Sequence, residues 1–133
     1  MPLKTILASV IVSFVLMGAA IAADLSGSWS GTYYYNDNRS HVNFAMEIQD
    51  FGGTLIGAIV EPNTFGDQTS QNLFANCFGQ VDGAKVTFIK TYDGTGGESH
   101  SALYIGVFDN VNGAISGNWQ IDRAFGRFSL RRN

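Results

Sequence analysis

The residues HVNFAMEIQ at 41–49 alternate without a break. Val42, Phe44, Met46 and Ile48 fall on one face, and His41, Asn43, Ala45, Glu47 and Gln49 on the other. Successive side chains of an extended chain point to opposite faces, so this stretch is a half-buried β-strand. The same period recurs at 29–35, 54–61, 73–81, 85–92, 101–108, 114–121 and 126–132, and no stretch places apolar residues at helical spacing. Turn chemistry separates the segments: Asp50-Phe51-Gly52-Gly53, Asp82-Gly83, the loop Asp93–His100 and the Asn- and Gly-bearing stretch 109–113. About eight strands joined by short turns describe an antiparallel meander.

A meander of that length leaves two unpaired edges unless its last strand pairs with its first, so the expected fold is all-β, a single up-and-down barrel. At about eight strands the interior is either filled by side chains or holds one small ligand. Glycines at 31, 57, 106 and 117 suit the sharp coiling of a closed sheet. Two similar pentapeptides, Leu25-Ser-Gly-Ser-Trp29 and Ile115-Ser-Gly-Asn-Trp119, are expected to start the first and penultimate strands. In each, the glycine admits close backbone packing and the tryptophan plugs or lines the barrel. The longest loop, 61–72, is a candidate lid. Both faces of 101–108 are apolar, Leu103, Ile105 and Val107 against Tyr104 and Phe108. Which face points inward stays open, and the other is free for an oligomer contact.

Residues 1–22 read as a signal peptide and 23–133 as the barrel domain. Lys4 precedes an apolar run from Ile6 to Met17, and Ala20-Ile21-Ala22 fits the small-x-small cleavage rule. The expected address is the periplasm or the medium, with no membrane span once the leader is gone. Cys77 is the one cysteine, so no internal disulfide forms, and its neighbours Phe74, Ala75 and Phe78 suggest a buried, inert thiol. Losing Lys4 leaves seven Lys and Arg against eleven Asp and Glu, the wrong balance for a nucleic-acid partner.

Candidate contacts follow from the inward register. In KVTFIKTY, Val86 and Phe88 set the inward face, which carries Lys90 and Tyr92 with it. A cation and a phenol inside an apolar mouth suit an anionic head group, with Phe44, Met46 and Phe88 around a tail. The alternative sets Lys90 at the rim, its stem buried and its ammonium in water. Tyr33 and Tyr35 share the face of Trp29. Signals for catalysis and metal binding are absent: His41 and His100 lie far apart, with no ligand spacing and no nucleophile motif beside them. No cofactor is expected and no enzyme.

Gly27-Ser28-Trp29, the Gly-x-Leu-x-Gly-like step at 53–57 and Trp119 resemble the calycin group of small barrels, avidins and lipocalins among them. The resemblance implies the barrel already inferred, with ligand at its centre. It does not imply biotin: the avidin Asn two residues after the first-strand Trp is Gly31 here, and the third-strand Tyr is Ile59. Lys90-Thr91-Tyr92 is similar in type to the Arg-x-Tyr pair by which fatty-acid-binding proteins hold a carboxylate. The expectation is therefore a non-catalytic protein holding a small apolar or amphipathic molecule, with Trp29, Tyr33, Tyr35, Lys90, Tyr92 and Trp119 as contacts. The alternative is a protein-binding module, such as an inhibitor of an exported hydrolase. It would have a solid core and act through Tyr34, Phe65 and the 93–100 loop.

Overall fold

A computed structural model describes residues 23–133; the expected signal peptide lies outside the described residues. Eight strands follow one another: β1 (Gly27–Tyr34), β2 (His41–Phe51), β3 (Thr54–Pro62), β4 (Asn72–Asp82), β5 (Lys85–Tyr92), β6 (Ser101–Asp109), β7 (Ala114–Ile121) and β8 (Ala124–Arg132). Each pairs antiparallel with the next, and β1 closes on β8 from Trp29↔Arg132 to Tyr33↔Phe128, making a sealed up-and-down barrel. A single 3-10 turn, Thr95–Gly97, interrupts the loop between β5 and β6. Among the described residues no helix is long and apolar enough to cross a membrane.

Alternation decides the core. In β2, Val42, Phe44, Met46 and Ile48 are buried and the residues between them exposed, as the period requires. The strand left open by its two apolar faces turns Ala102, Tyr104 and Phe108 inward and Leu103, Ile105 and Val107 outward. The register then lines up Ile56, Phe78, Ile89 and Leu103 as an exposed apolar row across β3 to β6. Inside, Phe88 stacks on Tyr104 with centroids 4.8 Å apart, and Phe128 packs edge-on against both rings. Each such ring contributes roughly 1.5–3 kcal/mol by leaving water.

Room for Phe128 comes from Gly106, which faces Gly117 across β6 and β7. A Cβ on Gly106 would lie 2.9 Å from the tip of Phe128, and one on Gly117 would strike the carbonyl oxygen of Ile105. Gly117 therefore does sit at a close approach of two strands, mid-strand in β7. Gly27, its counterpart in the other pentapeptide, is instead a strand-start residue with φ 135°. The two five-residue stretches are not equivalent along the barrel axis: Trp29 enters early in β1 and Trp119 late in β7.

Candidate functional site

In an up-and-down barrel the odd strands all run one way. Inward residues late in β1, β3, β5 and β7 must therefore meet inward residues early in the even strands, at one end of the barrel. That end collects Tyr33, Glu61, Lys90, Tyr92, Tyr104 and Trp119. The loops 35–40, 63–71 and 93–100 open on it, whereas the opposite end has only the turns at 52–53, 83–84 and 110–113.

The chemical centre is a buried charge pair. Lys90 and Glu61, each 1% exposed, form a salt bridge through Lys90 Nζ and Glu61 Oε1. The Tyr92 hydroxyl donates to the same oxygen at 2.9 Å, and the Tyr33 hydroxyl donates to Glu61 Oε2 at 2.7 Å. The ammonium lies 4.6 Å from the Tyr92 ring centre and 4.7 Å from that of Tyr33, so both rings hold it by cation–π attraction as well. Burial pushes the Lys90 ammonium below the usual lysine range, and the Glu61 carboxylate pulls in the opposite direction. Burial also raises the phenols of Tyr33 and Tyr92 far above their ordinary value, with the negative charge of Glu61 adding to it. Both therefore stay protonated and can donate to the carboxylate at any physiological pH.

Above this pair lies a cavity of about 200 Å³. Its floor is Lys90, Tyr33, Tyr92 and Tyr104, and its rim is Tyr35, Phe65, His100 and Trp119. Tyr35 stands perpendicular to the Trp119 indole at 5.9 Å, and Phe65 meets Tyr92 edge-on at 5.6 Å. The Trp119 Nε1–H donates to the Tyr34 carbonyl at 2.9 Å, over Gly126, where a Cβ would meet the indole nitrogen at 2.6 Å. Trp119 is thus fixed by the backbone beside it. A larger depression, about 760 Å³, is an open trough on the outer wall beside Ser30, Thr32, Ser116 and Ser129.

Five of the six expected contacts, Tyr33, Tyr35, Lys90, Tyr92 and Trp119, line this one cavity. Trp29 lies apart from it, at the other end, fully buried against Phe108 with its indole donating to the Leu25 carbonyl at 3.0 Å. Lys90 lies inside, as period two requires, and not at the rim, but it does not await an anion, because Glu61 already supplies one. Phe44, Met46 and Phe88, expected around a ligand tail, pack in the core and do not line the cavity. Glu61 was overlooked by placing it at the start of a loop. The inward register of Leu55 and Ile59 leads straight to it, and an inward acid facing an inward base is the signal that would have found it. His100 was passed over too; its ring lies 4.7 Å from that of Tyr92.

The long loop between β3 and β4 contributes Phe65 but is tied down. Asp67 N–H donates to the Gly96 carbonyl at 2.7 Å, and the Asn63 side chain bonds Gly66, Asp67 and Ser70. Cys77, beside Lys90 in the β4–β5 register, is buried, and burial pushes its thiol up to about 12 against the opposing pull of Lys90. Among the described residues no group of three or more His, Cys, Asp or Glu is placed to hold a metal ion.

Comparison with known proteins returns no match, whether to a family model, a curated protein or a solved structure. The calycin resemblance accordingly stands at the level of architecture: an eight-stranded antiparallel barrel.

Proposed function

We propose that this chain is an exported, non-catalytic binding protein that holds one small, largely apolar molecule in the aromatic mouth of its barrel. One observation carries the reading: a cavity walled by aromatic rings over a floor of oriented polar groups, a combination typical of small-molecule sites. Its size limits the occupant. A dry cavity of about 150 Å³ accepts benzene, so about 200 Å³ suits one ring with a short substituent rather than a long acyl chain. Export is supported by the leader-like composition of residues 1–22. A barrel packed solid to its rim would instead favour recognition through the loops, and the mouth cavity is why the ligand reading is preferred.

Native mass spectrometry of protein recovered from the periplasm or medium of expressing cells tests this. A retained small-molecule mass, lost when Trp119→Ala and Phe65→Ala are combined, is the expected result. A uniformly ligand-free mass across growth conditions, together with a partner protein that binds through Phe65 and the 93–100 loop, would replace this reading with the protein-binding one.

A further inference from the structure

We infer that the mouth cavity selects an uncharged, ring-sized molecule bearing a hydrogen-bond acceptor, such as an aromatic ketone or aldehyde, over acids and amines of the same size. The inference rests on the proposal that the cavity is a ligand site, and it follows from counting donors and acceptors at the floor.

Glu61 lies beneath that floor and is taken: Lys90, Tyr33 and Tyr92 all donate to it. What remains unspent is donor capacity. Lys90 spends one N–H of its ammonium on Glu61 and turns the rest of the head group to the rings of Tyr33 and Tyr92. The Tyr104 hydroxyl makes no hydrogen bond among the described residues, although Tyr104 is 2% exposed. No buried side-chain polar atom is sealed off without a partner, so that hydroxyl opens on to the cavity its residue lines. A ligand that brings an acceptor satisfies this hydroxyl. One that brings only hydrocarbon leaves it without a partner.

Charge excludes the other classes. The Lys90–Glu61 pair is neutral as a unit, and the phenols of Tyr33 and Tyr92 are committed to the carboxylate. A carboxylate ligand would bring a second negative charge beside Glu61 into an aromatic mouth, where even partial desolvation of an ion is costly. An ammonium ligand meets Lys90 already occupying the faces of Tyr33 and Tyr92. A neutral carbonyl avoids both penalties, and its ring stacks among Tyr35, Phe65 and Trp119.

Titration calorimetry with four probes of matched size, acetophenone, ethylbenzene, benzoate and benzylamine, tests the class. Acetophenone should bind at least tenfold more tightly than each of the other three. Tyr104→Phe, which removes only the oxygen, should weaken acetophenone at least fivefold and leave ethylbenzene unchanged. Equal binding of ethylbenzene and acetophenone, or tighter binding of benzoate, would overturn the inference while leaving the cavity a ligand site. Failure of all four probes on folded protein would overturn both.

Discussion

The two ends of the barrel each bury a tryptophan and cover it differently. Trp29 is fully buried, capped by the segment before β1: Leu25 closes over it, and the Leu25 N–H donates to Asp50 Oδ2 at 3.0 Å. Arg132 stacks 4.6 Å above the indole and clasps the carbonyls of Asp24 and Ser26 at 2.7 and 2.8 Å. Trp119 has no such strap. Its end keeps the long loops, a cavity and an ion pair buried beneath it. One end spends its side chains on a seal; the other holds polar groups in a dry place where packing hydrocarbon would have been easier. Buried ion pairs add little net stability.

Substitutions can break this contrast. The largest effect is expected for Glu61→Leu, which strands the Lys90 ammonium and the two phenols that donate to Glu61. Urea unfolding should show a loss of about 3–5 kcal/mol. Adding Lys90→Met should restore at least half of it, since removing both charges is far cheaper than removing one. A double variant as unstable as the single one would mean the pair is not the source of the cost. At the sealed end, Leu25→Ala should cost about 2–4 kcal/mol through lost burial and a cavity over Trp29, with probe affinity at the mouth unchanged. A change in affinity would mean that the two ends are coupled.

Alkaline pH gives a graded test. The tyrosine phenol ordinarily ionises near 10.0, and the fold holds Tyr33, Tyr92 and Tyr104 protonated beyond that, burial being the main cause at each. Above pH 10 the unfolded chain releases protons that the native state keeps. The stabilisation from these residues is thus complete below pH 10 and declines as pH rises, by about 1.4 kcal/mol per pH unit for each tyrosine. Tyr33→Phe should flatten the slope of unfolding free energy above pH 10, and an unchanged slope would show that its phenol ionises in the fold. The smallest stability effect belongs to Phe65→Ala. Phe65 is 40% exposed, so the loss should stay below about 1 kcal/mol, while probe affinity falls severalfold.

Much of this was legible in the chain. Strict alternation gave β2 and the inward face of β5, and the need to remove sheet edges gave closure of β1 on β8. Tyr33, Lys90 and Tyr92 were found because period two fixes a face, and Trp119 through the calycin resemblance. Period two does not fix height, however. Trp29 shares the inward face of Tyr33 yet belongs to the other end, because depth depends on which way a strand runs and where it enters the barrel. Glu61 was missed because a charged residue beside Pro62 and Asn63 looks like the start of a loop. Period two sets it inward with Leu55 and Ile59, but its partner Lys90 is 29 residues away in sequence, so the pair shows only when the two strands are read together.

The chain's two tryptophans make the contrast directly measurable, because each end carries one indole N–H. In a ¹⁵N–¹H correlation spectrum titrated with acetophenone, the Trp119 indole signal should move and saturate while that of Trp29 stays in place. Movement of the Trp29 signal alone, or of both to the same degree, would contradict a barrel with one sealed end and one receptive mouth.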